Sequence, residues 1–174
     1  MAIGSPKGRV NYEPNSWNER DGGPRESPEK GFHSCVDIGI FNSLKAATEG
    51  EGAMLEVIAP MVGGVEASDG SWIGAAQMVG GGPSVLYDAV ALLPSGDGAT
   101  MLSQDADTRD FVADAFAHMK FIGYVEAATP LFKKAGIDSS RDEGFISLDG
   151  SRSGSEFIAA CRKLRFWTRE AATP

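Results

Sequence analysis

The chain has 174 residues, 24 acidic against 16 basic side chains, a formal net charge of −8 and 42% hydrophobic residues. The negative surplus argues against non-specific nucleic-acid binding, which runs on neutralised phosphates, and the apolar share argues against global disorder. No apolar run approaches the ~20 residues that span a bilayer.

The length suits one domain with a tail. The opening Met-Ala-Ile-Gly-Ser-Pro-Lys offers no apolar stretch for a signal sequence. Two cysteines, Cys35 and Cys161, are too few for a disulfide scaffold and suit a reducing compartment. A soluble cytoplasmic protein is expected.

From Gly4 to Gly31 the chain carries Pro6, Pro14, Pro24 and Pro28, with Gly22, Gly23 and many charges. Without apolar periodicity this reads as a disordered or wrapping arm, and its Tyr12 and Trp17 suggest docking on something. Asp37 to Glu49 then sets Ile38, Phe41 and Leu44 on one helical face, with Asp37 placed to cap. Met54 to Ala59 reads as a short buried strand stopped by Pro60. Asp69-Gly70 lies between two short alternating arms in Val65 to Ala75, the signal for a hairpin. Ala89 to Leu93 is an unbroken apolar run, as in a parallel strand covered on both faces.

Asp105 to Lys120 follows as an amphipathic helix with Phe111, Val112, Ala115, Phe116 and Met119 inward. Phe121 to Val125 is another buried strand, and Pro130 to Ala135 a short helix closed by Gly136. Phe145 to Leu148 is strand-like, and Gly154 to Leu164 is the last helix. Trp72 and Trp167 are expected to sit in fixed packing within this region. Strands alternating with helices predict a flavodoxin-like, doubly wound, mostly parallel α/β sheet.

One strand is missing from that pattern. Such a sheet opens with a strand before its first helix, and here the arm stands in its place. Phe32 to Val36 is the one surrogate in sight; otherwise the sheet has a gap that costs several kcal/mol in lost burial.

Candidate chemistry is thin. A nucleophile in an α/β protein sits on the turn between a strand and the next helix, and the turn here reads Val125-Glu126-Ala127-Ala128, with no cysteine or serine. His33 and His118 are too few for a histidine-rich metal site, and His33 with Cys35 lacks zinc-site spacing. Gly80-Gly81-Gly82-Pro83-Ser84 lacks the lysine of a phosphate loop and reads as a flexible connection. Ser95-Gly96-Asp97-Gly98 follows the strongest strand, where pockets form, so Asp97 and Glu126 could face one crevice as a small-molecule or hydrolase-like site. Arg162, Lys163, Arg165 and Arg169 read as dipole compensation and solubility.

The arm carries the most specific pattern. Gly8-Arg9-Val10-Asn11-Tyr12-Glu13-Pro14-Asn15-Ser16-Trp17, then Gly22-Gly23-Pro24-Arg25-Glu26 and Gly31-Phe32-His33-Ser34, resembles haem catalases just past their haem-binding barrel. From about Val36 to Trp167 the chain resembles the C-terminal domain of large-subunit catalases. The matching phrases include Leu55-Glu56-Val57-Ile58-Ala59-Pro60, Gly82-Pro83-Ser84-Val85-Leu86-Tyr87-Asp88-Ala89-Val90 and His118-Met119-Lys120-Phe121-Ile122.

The resemblance implies a class I glutamine amidotransferase-like fold in residues 36–174, preceded by an irregular arm over residues 1–35. In enzymes of that superfamily a cysteine stands at the elbow that aligns here with Val125, so a non-hydrolytic, structural or chaperone-like role is implied. Catalase chemistry needs haem, a proximal tyrosinate near an arginine and a distal histidine. Tyr12, Tyr87 and Tyr124 lie outside the family's R-x-x-x-Y motif, and the barrel has no counterpart in this sequence. No catalytic, cofactor-binding or metal-binding residue is therefore expected, haem belongs to the full-length family, and a non-functional truncated catalase remnant is the alternative. Catalase subunits or unfolded clients are the expected partners, with a homo-oligomer compatible; nucleic acid and membrane are not expected.

Overall fold

The computed structural model describes residues 2–4, 36–61, 63–150 and 152–172. In chain order its first elements are β1 (Ala2–Gly4), α1 (Ile38–Gly50), β2 (Met54–Glu56), β3 (Ile58–Ala59), β4 (Gly64–Glu66), β5 (Trp72–Gly74) and β6 (Gln77–Met78). Then come β7 (Ala89–Leu92), α2 (Gly96–Leu102), α3 (Ala106–Ala117), β8 (Phe121–Tyr124), α4 (Thr129–Lys134), β9 (Phe145–Ser147) and α5 (Ser153–Cys161).

The main sheet runs β2–β1–β7–β8–β9, beside two small two-stranded sheets, β3–β6 and β4–β5. β7, β8 and β9 are parallel, and β1 is antiparallel to both of its neighbours, so β2 shares their direction. The doubly wound α/β expectation holds.

The strand missing from the pattern is supplied from an unexpected place. Neither Phe32–Val36 nor a gap occupies the slot between β2 and β7: Ala2–Gly4 does, with Ile3 opposite Leu55 on one side and Ala89 on the other. Two strands with open backbone edges bind any extended segment that can reach them, and an antiparallel ladder is as good as a parallel one. Val36 instead bridges Ala67, donating its N–H to the Glu66 carbonyl at 3.2 Å. Phe32 to Cys35, like the rest of the arm with Tyr12 and Trp17, lies outside the described residues.

Alternation along β7 sends side chains to two cores. Ala89 and Ala91 meet Phe41 and Leu44 of α1 and Phe157 and Ile158 of α5. Val90 and Leu92 meet Phe111, Val112 and Ala115 of α3 and Leu131 and Phe132 of α4. All four residues of β7 are buried, the pattern of a parallel strand with helices on both faces.

The local signals mostly act as expected. Asp37 caps α1 by accepting from the Ile40 amide at 2.9 Å, and Asp105 caps α3 from Thr108 at 2.8 Å. Gly70 takes φ +82° in the β4–β5 hairpin and Gly136 takes +76° after α4, where a side chain would be strained.

Three readings change. Met54–Ala59 is two strands in two sheets, because the Val57 carbonyl accepts from Ala76 and turns the chain out of the main sheet. Ser95–Gly98 opens helix α2, with Ser95 accepting from the Gly98 amide at 3.1 Å. Trp72 and Trp167 are exposed, at 55% and 61%, so neither is held inside the core.

Candidate functional site

The carboxyl ends of β7 and β8 are where a doubly wound fold presents ligands and nucleophiles. Val125, in the turn after β8, is buried, has φ −92° and ψ 152°, and donates its N–H to the Leu92 carbonyl at 3.1 Å. That is ordinary extended backbone. Among the described residues, the non-glycine positions with positive φ are Met119 and Leu164, both away from this turn. The turn after β8 thus lacks the strained backbone of a nucleophile elbow.

Glu126 is exposed and tied into that turn. Its amide donates to Asp149 Oδ2 at 3.0 Å, and Thr129 Oγ1 donates to its carbonyl at 2.9 Å and to its carboxylate at 3.2 Å. Asp97 lies in the first turn of α2, also exposed. The two carboxylates stand at the ends of neighbouring strands, but no hydrogen bond joins them and neither lines the two cavities described below.

Within the glycine run Gly80 and Gly81 are exposed and Gly82 is buried. Val79–Gly81 and Ser84–Leu86 form short 3-10 turns, and a Cβ on Gly80 would lie 2.4 Å from Asp107 Oδ2. A carboxylate at that approach opposes a phosphate. His118 is the exposed C-cap residue of α3, while His33 and Cys35 fall outside the described residues. Burial, with nearby Asp88 adding to it, pushes the Cys161 thiol up to about 12, so it is no thiolate nucleophile.

Two cations are buried: Lys120, which the sequence reading passed over, and Arg169, which it assigned to dipole compensation and solubility. Lys120 has no exposed surface and donates from Nζ to the Ser84 and Tyr87 carbonyls. Burial, with Arg165 beside it, lowers its ammonium from 10.5 to about 8, against the partial support of Asp88 and Asp114. Arg169, only 4% exposed, lies with its guanidinium carbon 4.4 Å from the Phe116 ring centre and pairs with Asp142. Arg162 behaves as the sequence suggests, in an exposed pair with Glu51 at 2.6 Å. Arg165 donates to the Asp88 carbonyl at 3.0 Å. A lysine directly ahead of a fully apolar strand was the available signal for Lys120; nothing local marked Arg169.

One further polar group is part-buried. Gln77 Nε2 donates to Glu56 Oε1 at 2.6 Å and to the Tyr87 hydroxyl at 3.0 Å, and that hydroxyl donates to Glu56 Oε1 at 3.0 Å. Burial and the Glu56 carboxylate raise Tyr87 above its ordinary value, which fixes it as a donor.

Two cavities are present, the first apolar and the second partly polar, with Lys45 and Glu49 on its wall. One, of about 90 Å³, lies between Val57–Pro60 and Ala91–Pro94. The other is a surface groove of about 710 Å³ between α1, β2 and the β5 strand.

This fold is that of the DJ-1 class. Similar solved structures include a ThiJ/PfpI domain protein from Brachyspira murdochii (15% identity, TM-score 0.59, 75% of this chain and 90% of that one). Drosophila melanogaster DJ-1beta is another (15% identity, TM-score 0.60, 76% and 87%).

Residues 34–171 match the family described as the C-terminal domain found in long catalases, and the chain belongs to that family. It is 54% identical over 135 residues to Catalase C of Rhizobium meliloti, covering 78% of this chain and 19% of that protein. It is 32% identical over 149 residues to Catalase HPII of Mycobacterium avium, covering 77% and 21%. The chain thus spans about a fifth of the length of the curated relatives it matches.

No group of three or more histidine, cysteine or acidic side chains among the described residues is placed for a metal, and no tyrosine, the axial donor of catalase haem, lines either cavity. Tyr87 is committed to Glu56 and Gln77, and Tyr124 packs its ring against Phe132 at 5.3 Å.

Proposed function

We propose that the chain is a non-catalytic accessory module of a large catalase, which binds and stabilises catalase subunits or holds their unfolding segments. The observation that carries this reading is the relaxed Val125–Glu126 turn in a domain whose family match covers residues 34–171. The fold of a hydrolytic superfamily is kept, and the position of its nucleophile holds a buried valine. On this reading the module contributes neither haem nor peroxide disproportionation by itself.

The test is thermal inactivation of a large catalase that lacks its own C-terminal domain, with and without the purified chain. Slower inactivation at equimolar chain is expected. Unchanged inactivation, or peroxide turnover with a Soret band by the chain plus added haem, overturns the reading.

A further inference from the structure

The two ends of the segment 5–35, itself outside the described residues, come to one groove. β1 ends at Gly4, opposite Met54 of β2. The chain returns at Val36, which bridges Ala67 and stands two residues ahead of Ile38, the first residue of α1. Met54 and Ile38 are both wall residues of the groove of about 710 Å³ between α1, β2 and β5.

The floor of that groove is apolar and incompletely covered. Phe41 is buried, Ile38, Ala53, Leu55 and Val57 are half-buried, and Met54 is 52% exposed. Lys45 and Glu49 face each other at 3.9 Å on the α1 side. Trp72 stands at the rim, its indole N–H on the Gly63 carbonyl.

Between Ser5 and Gly31 the large apolar side chains are Val10, Tyr12 and Trp17. Val10 and Tyr12 are two apart, so they share one face of an extended segment. Tyr12 is eight residues past Gly4, and eight extended residues reach about 27 Å, well beyond the width of a groove of this size. Trp17 has more slack from Gly4 and more again from Val36. A segment tethered at both ends also has an effective local concentration on the order of millimolar, which a dilute second copy does not match.

We propose that the groove between α1, β2 and β5 is the docking site of this chain's own segment Val10–Trp17. Val10 and Tyr12 lie against Phe41, Met54 and Leu55, and Trp17 packs beside them. The outer face of Trp72, at the rim, stays open to water. Docking buries apolar surface that the described residues leave uncovered and fastens the segment before α1 onto β2. The inference stands apart from the accessory-module reading and survives its failure.

The chain has three tryptophans, Trp17, Trp72 and Trp167. Trp72 and Trp167 are exposed, so Trp72→Phe combined with Trp167→Phe spares the core and leaves Trp17 as the sole indole. Acrylamide should quench Trp17 severalfold less in that protein than in a peptide of residues 5–35. Adding Met54→Glu, which puts a charge on the groove wall at an exposed position, should restore the quenching of the peptide. The unaltered chain gives a second readout: trypsin should cut after Arg9 and Arg20 severalfold more slowly than in the peptide, and Met54→Glu should remove that protection. Quenching or cleavage at the rate of the peptide overturns the proposal. Shielding that Met54→Glu leaves intact overturns it by placing the segment elsewhere. Shielding that fades on dilution overturns it in favour of a second copy.

Discussion

Arg169 holds Asp142 through two parallel hydrogen bonds, Nε to Oδ2 at 2.7 Å and Nη2 to Oδ1 at 2.9 Å. Its remaining Nη1 donates to the Phe116 and Lys120 carbonyls, both at 3.1 Å. One side chain thereby fastens the C-terminal 3-10 turn (Trp167–Ala172) to the end of α3, the start of β8 and the loop before β9. Only arginine offers this planar fork together with ring stacking.

Arg169→Lys should therefore behave as a loss. Removing the fork leaves a half-buried carboxylate short of partners, and a drop of about 1–3 kcal/mol in unfolding free energy is expected. Urea titration of the two proteins measures it, and a change under about 0.5 kcal/mol would mean that the pair is a surface contact.

Acid should attack the same pair. Burial opposes ionisation of Asp142, but the hydrogen bonds from Arg169 and the Gly144 amide, with the guanidinium charge, outweigh it and hold the carboxyl below its ordinary value. A lowered carboxylate stabilises the fold above its unfolded pKa, near 3.9, and that contribution is lost as pH falls through the folded value. Asp142→Asn should reduce the acid sensitivity of stability below about pH 4, read as a flatter melting-temperature profile.

Lys120 gives a slope of the same sign in the alkaline range, because its pKa is lowered too. Its folded pKa, about 8, lies below the unfolded 10.5, so between these values the unfolded chain binds more protons and stability rises with pH. Cys161, pushed up to about 12, works against that rise once pH exceeds its ordinary 9.0, and the raised Tyr87 works against it above 10. Stability should climb from about pH 8 and level off near pH 9. Lys120→Met should abolish the climb, and Cys161→Ala should extend it. A wild-type profile that falls steadily from pH 8 would contradict the placement of Lys120.

Gly123 has no room for a methyl group. A Cβ there would lie 2.9 Å from Leu148 Cδ1 and 3.1 Å from two ring atoms of Phe157, which seat α5 on β8. Gly123→Ala should cost about 1–3 kcal/mol by overpacking. Gly123→Ala combined with Phe157→Leu should recover part of that loss, and no recovery would place the strain elsewhere.

Trp72 and Trp167 should behave as solvated fluorophores. Acrylamide should quench both strongly in the native chain, with Trp72 retaining its Nε1 bond to the Gly63 carbonyl at 3.1 Å. Fixed packing is better followed through Tyr87 and Tyr124. Weak quenching in the monomer would mean that the groove beside Trp72 is covered.

Much of the fold was legible where a signal is local. Asp37 and Asp105 announce their helices as caps, Asp69-Gly70 announces its hairpin, and Ala89–Leu93 announces a strand covered on both faces. Helix α2 was hidden by Gly96 and Gly98, poor helix formers; Gly98 is buried, and Ser95 was its one local mark. The absence of a cysteine or serine at Val125–Ala128 was readable directly, but the relaxed backbone there was not, since it depends on what packs around it. The identity of the first strand was out of reach for a different reason. Three residues at one end of a chain carry no periodicity, and only the two open edges far along the sequence give them a conformation.

That reversed strand has a practical side for anyone handling the protein. Because β1 is antiparallel to β7, its Ala2 end is the one directed at the apolar cavity beside Ala91. A purification handle fused ahead of Ala2 would continue from a strand in the middle of the sheet rather than from its rim. Fusions belong at the other terminus, beyond the turn that Arg169 ties down.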